Sequence, residues 1–158
     1  MTHFGRPVIP AKVDFLRLSY SGTPGADPIL TLSGSLDNTS ATLSGNEFTL
    51  YAGSHWRIEA SQQILGVSVS DTYYLEIYSV DNAAKIGFDG IMSSSSTIRG
   101  RATACAFVLS SDISTSEVYR IQVLADNGDL ELSTSNPNDP SGDEEFSYGI
   151  LKIIELPA

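Results

Sequence analysis

Hydrophobic and polar residues alternate along this chain with a period of two wherever the alternation is sustained. The clearest stretch runs from Asn46 to Ser61. Phe48 and Leu50 alternate with polar neighbours, Ala52-Gly53 interrupts the run, and Trp56, Ile58 and Ala60 then alternate against His55, Arg57, Glu59 and Ser61. Successive strand side chains point to opposite faces. The pattern therefore predicts two strands meeting at a corner, with the one tryptophan on the core side and a polar, solvated face opposite. The same period predicts strands over 12–20, 29–32, 66–70 and 86–91, and pairing around 41–43. A strand over 72–80 sets Tyr73, Leu75 and Ile77 on one face against Tyr74, Glu76 and Tyr78 on the other.

Two segments break the alternation by being apolar on both parities. Residues 99–109 carry Ala104, Ala106 and Val108 against Cys105, Phe107 and Leu109; residues 146–156 carry Ile150 and Ile154 against Leu151 and Ile153. Strands of this kind are expected to be covered on both faces. Val118–Ala125, the turn Asp126-Asn127-Gly128 and the run 129–132 predict a hairpin, because an Asn-Gly turn suits the twist of paired strands. Loops rich in Pro, Gly, Ser and Asp separate these elements, and no window has a helical period. Eight or more short strands in one domain predict an all-β, single-domain sandwich or jelly roll over 12–158. Residues 1–11 form an extended arm, since Pro7 and Pro10 remove amide donors and bias their predecessors away from helix. Phe4, Arg6, Pro7, Val8 and Ile9 are its candidate contact residues.

Composition narrows the role. At 158 residues the chain suffices for one core, and its single cysteine, Cys105, forms no internal disulfide. A net charge of -10, with 9 Lys+Arg against 19 Asp+Glu, opposes phosphate backbones and so nucleic acid. No signal-peptide-like or membrane-spanning apolar run is present, which predicts a soluble product made without an export signal.

Catalysis is not expected. His3 lies in the arm, His55 on a strand's polar face, and Cys105 in an apolar run that predicts a buried thiol. There is no phosphate-binding glycine motif, nucleophile elbow or zinc spacing. Asp126, Asn127, Asp129 and Glu131, and separately Asn138, Asp139, Asp143, Glu144 and Glu145, offer oxygen ligands for calcium. Neither set has the spacing of a calcium loop, so no cofactor or metal is expected. Tyr51, Tyr74, Tyr78 and Tyr119 would stack on a glycan if they gathered in a groove; for Tyr74 and Tyr78 a subunit interface is the preferred reading.

The run Phe48-Thr49-Leu50-Tyr51-Ala52-Gly53 followed by His55-Trp56-Arg57-Ile58-Glu59-Ala60-Ser61 resembles the early strands of a shared jelly-roll module. That module occurs in tumour necrosis factor, the complement globular head and many bacteriophage structural proteins. Ser147–Leu156 resembles its closing strand, and the likeness spans Lys12 to the C-terminus. The Ser/Thr-rich run 33–44 and the acidic run after Asn136 have no counterpart in it. The resemblance implies a TNF-like fold and a homotrimer whose closing strands lie near a threefold axis, with Tyr74, Tyr78, Ile150, Leu151, Ile153 and Ile154 at the interface. It further suggests a virion protein that binds the major capsid protein and stabilises the outside of a phage head, the arm lying across the shell. A receptor-binding module that recognises a host glycan at a fibre tip is the alternative. Neither reading calls for nucleic acid or membrane.

Overall fold

The computed structural model describes residues 9–19, 29–66, 72–93, 98–125, 130–132 and 149–158, and among these there is no helix. The strands are β1 (Lys12–Ser19), β2 (Thr31–Ser33), β3 (Thr42–Ser44), β4 (Glu47–Tyr51), β5 (Ser54–Gly66), β6 (Thr72–Ser79), β7 (Ala84–Ser93), β8 (Ile98–Val108), β9 (Ser116–Ala125), β10 (Leu130–Leu132) and β11 (Gly149–Pro157). They follow one antiparallel path, β2-β1-β11-β5-β8-β7-β6-β9-β4-β3, with β10 beside β5. The path curls into two layers. The first is β2-β1-β11-β5-β8 and the second β7-β6-β9-β4-β3, and they meet where Phe88 of β7 pairs with Cys105 of β8.

The inward parity of each strand fills the space between the layers. Phe48, Leu50, Trp56, Ile58, Ala60, Tyr73, Leu75 and Ile77 have no exposed surface, as the alternation predicts. Burying a side chain of this kind is worth roughly 1.5–3 kcal/mol, so this parity dominates the choice of register. The corner between β4 and β5 carries the chain from one layer to the other. Gly53 takes a φ of 100 there, a conformation that disfavours other residues, and the Trp56 indole donates to the Tyr51 carbonyl at 3.0 Å.

Glycines close one edge of the sandwich. A Cβ on Gly87 would lie 2.3 Å from the Cys105 carbonyl oxygen, and one on Gly90 would lie 2.4 Å from the Thr103 amide nitrogen. The backbones of β7 and β8 approach too closely for any side chain. The other edge is laced by residues 29–33: Ile29 bridges to Gln122 of β9, the Leu30 amide donates to the Ile121 carbonyl, and Leu32 pairs with Leu18 of β1.

Two buried carboxylates pin the run 37–40 across the end of the first layer. Asp14 accepts from the amides of Asp37, Asn38 and Thr39 and from the Asn38 side chain, at 2.7 to 3.2 Å. Glu155 accepts from the Ser40 amide and hydroxyl and from the Ser54 hydroxyl, and lies 3.4 Å from Lys12. Burial pushes both carboxyls up, but these hydrogen bonds outweigh it and hold them below their ordinary range.

Three expectations meet the tertiary arrangement differently. The Asn-Gly turn at 126–129 lies outside the described residues, but the strands on either side of it do not pair with each other: β10 pairs with β5 of the first layer, whereas β9 lies between β6 and β4 of the second. A place between β6 and β4, with Tyr119, Ile121 and Val123 buried, satisfies β9 on both edges without β10. Within the single chain β8 is covered on one face, since Ala102, Ala104, Ala106 and Val108 are buried while Phe107 is 62% exposed and Cys105 half-buried. In β11, Leu151 and Ile153 have no exposed surface, and Ile150 is 50% exposed.

Candidate functional site

The outward parity of the first layer forms the candidate site, and strand register assembles it row by row. Phe15, Lys152, Glu59, Cys105 and Phe88 are successive partners across β1, β11, β5, β8 and β7. Beside them runs a second row of Val13, Ile154, Arg57 and Phe107, and on the other side a third of Arg17, Ile150, Ser61 and Thr103. Paired residues in a sheet point to the same side, so these rows share one surface. A shallow concavity of about 530 Å³ lies over its middle, between Phe15 and Ile150 on one flank and Arg101 and Cys105 on the other.

Two features set this surface apart. Phe15, Phe88, Phe107 and Ile150 are between 50% and 81% exposed, an unusual concentration of large apolar side chains on one face. Between them stand the charges. Glu59 forms ion pairs with both Arg57 and Lys152, the latter at 3.5 Å. Arg57 stands 5.5 Å above the Phe107 ring and Lys152 6.0 Å above that of Phe15, while Arg101 donates to the Ser61 hydroxyl at 3.1 Å. Among the described side chains of β1, β11, β5 and β8 that point this way, the charged ones are Arg17, Arg57, Arg101, Lys152 and Glu59. In a chain of net charge -10 this is a locally cationic face.

The interface residues expected from sequence divide into three places. Ile150 and Ile154 lie on this outward face, although Ile154 is only 8% exposed; Leu151 and Ile153 belong to the chain's own core; Tyr74 and Tyr78 stand half-buried on the outside of the second layer. The polar side of β5 faces outward as its alternation predicts, and Arg57, Glu59 and Ser61 occupy the centre of the exposed face. Phe15, Phe88, Phe107 and Arg101 were not singled out by sequence reasoning. The alternation of Phe15 with Leu16 and of Phe107 with Val108 contained the signal, but which parity faces outward is settled only by the layers.

The remaining candidates do not gather. Tyr119 is buried and stacks on Phe48 with ring centroids 5.7 Å apart, and burial together with the neighbouring Glu117 pushes its phenol well up. The Tyr51 hydroxyl lies 3.0 Å from that of Thr42, and the Tyr78 ring lies under Arg120 at 4.7 Å. His55 accepts from the Ser110 amide at 3.0 Å, fixing the loop after β8. No group of three or more His, Cys, Asp or Glu suited to a metal occurs among the described residues. Of the calcium candidates, those at 126–129 and 138–145 lie outside the described residues, while Glu131 stands in β10 opposite Leu65; Phe4, Arg6, Pro7 and Val8 of the arm also lie outside, and Ile9 is 64% exposed.

No family model and no curated protein matches this chain. Solved structures do. Murine APRIL in a crystal at pH 8.0 superposes with a TM-score of 0.60 at 10% identity, over 93% of this chain and 100% of that one. The same protein at pH 5.0 gives 0.60 at 13% identity over the same spans. A chain from infectious bursal disease virus, Gx strain, aligns over 98% of this chain and 36% of its own at 10% identity, with a TM-score of 0.46 that is too low to carry an argument. APRIL belongs to the TNF family, and at such identities the likeness establishes architecture alone: the chain is an all-β, TNF-like jelly roll.

Proposed function

We propose that this chain is a structural virion protein that assembles as a homotrimer and decorates the outside of a phage head. The observation that carries the self-association is the outward face of the first layer, with Phe15, Phe88, Phe107 and Ile150 left open to water. Covering those four to the extent they are now exposed is worth about 4 to 8 kcal/mol per face at roughly 1.5–3 kcal/mol per fully buried side chain. Lost translational and rotational freedom costs about 4 to 15 kcal/mol. Apolar contact alone therefore leaves association near balance, and polar complementarity decides its strength.

The virion role is supported by the resemblance of 46–61 and 147–156 to the modules of phage structural proteins. The arm supplies a route to a shell: Ile9 projects at the root of residues that carry Phe4 and Arg6. A protein that binds only the assembled shell stabilises it by mass action, without needing a reaction of its own. The test is to heat particles carrying and lacking the protein. Decorated heads rupture at the higher temperature; an unchanged rupture temperature overturns the stabilising role.

A further inference from the structure

We infer that His55 is a pH-sensitive latch: its imidazole fastens the turn 109–112 to the start of β5 and lets go on gaining a proton. The latch belongs to the single chain, whatever its assembly. It begins with a hydrogen bond that has one possible direction. The Ser110 backbone amide donates to His55 Nδ1 at 3.0 Å, and a backbone N–H has no acceptor role. Nδ1 must therefore hold a lone pair, which fixes the ring as neutral with its proton on Nε2. A second proton can enter only at Nδ1. It sets one N–H against another, so the contact is lost rather than weakened. Histidine is the side chain whose charge ordinarily changes between about pH 5 and 8.

The surroundings decide what that loss releases. The Asp112 amide donates to the Leu109 carbonyl at 3.0 Å, and the Asp112 carboxylate accepts from the Leu109 amide at 3.1 Å, so 109–112 is closed on itself. The Ser110 bond ties that closed unit to β5. The rest of the turn has its own anchors: Ile113 is buried in the core, and the Ala52 amide donates to the Thr115 carbonyl at 3.0 Å. Protonation thus frees 109–112, with the exposed Leu109, while 113–115 stays in place. The titratable and charged groups around the ring are Arg57, two residues along the same face of β5; Tyr51 at the β4–β5 corner; Asp112 in the turn; and Glu155 of β11, beside the Leu156 that pairs with His55. Each already has a partner: Glu59 for Arg57, the Thr42 hydroxyl for Tyr51, the Leu109 amide for Asp112, and Ser40, Ser54 and Lys12 for Glu155.

Amide hydrogen exchange of the full chain, followed by NMR and corrected for the intrinsic pH dependence of exchange, tests the latch from pH 8 to 5. Protection at Ser110 falls by at least about fivefold as pH drops, as the loss of one hydrogen bond requires, while protection at Ala52 holds. His55→Asn sets a carbonyl oxygen that does not titrate near the place of Nδ1 and keeps Ser110 protected throughout. His3→Gln removes the other histidine and leaves the response in place. The nitrogen chemical shifts of the His55 ring in the wild type provide a measurement that needs no variant, and they report a proton on Nε2 at pH 8. Ser110 protection that does not change with pH, or that falls equally in His55→Asn, overturns the latch, and so does a proton on Nδ1 at pH 8.

Discussion

Asp14 is the sharpest point at which to test how the fold is held. It is 3% exposed, and both carboxylate oxygens accept from the run 37–39. Asp14→Asn keeps the shape but replaces one oxygen with an amide group. Whichever way that amide turns, a donor confronts a donor: the Thr39 amide in one orientation, those of Asp37 and Asn38 in the other. A hydrogen bond to a charged partner contributes about 1.5–3 kcal/mol and a buried donor left unpaired costs about 1–3 kcal/mol, so a net loss of about 3 kcal/mol is expected. For a chain of this size that lowers the melting temperature by about 6 to 12 °C. The pH dependence supplies an internal check. Asp14 and Glu155 are both held below their ordinary values, 3.8 and 4.5, in the folded state. Their contribution is complete above those unfolded values and is lost as pH falls through the lower folded ones. The gap between wild type and Asp14→Asn, measured by circular dichroism, therefore stays constant from pH 7 to about 5 and narrows below about pH 4. A variant that melts within about 1 °C of wild type at pH 7 would refute the pinning role, as would a gap that persists unchanged at pH 3.

Two further outcomes probe other parts of the sandwich. Gly90→Ala places a methyl group against the Thr103 backbone, which has no flexible end to yield, and is expected to cost about 3 kcal/mol or more in denaturant titration; a loss under about 1 kcal/mol would show that β7 and β8 separate easily. In alkaline spectrophotometric titration, at least one of the seven tyrosines resists ionisation until the fold opens, and Tyr119→Phe reduces that resistant fraction. An undiminished resistant fraction in the variant would assign it elsewhere.

Period-two alternation by itself determined the fold class and much of the core, because wherever one face is buried a one-residue slip would turn every apolar side chain to water. Trp56, Ile58 and Ala60 were legible as inward residues for that reason, and so were Tyr73, Leu75 and Ile77. Alternation is silent where both parities are apolar. Only the tertiary structure sent Leu151 and Ile153 inward and left Ile150 and Phe107 outside, because that choice depends on which side of β11 and β8 the second layer covers. It also set β10 beside β5 and β9 between β6 and β4, a choice of partners that local alternation does not carry. The candidate face was the least legible part. Its members come from β1, β5, β7, β8 and β11, distant in sequence, and only strand register sets Phe15 in line with Lys152, Glu59, Cys105 and Phe88.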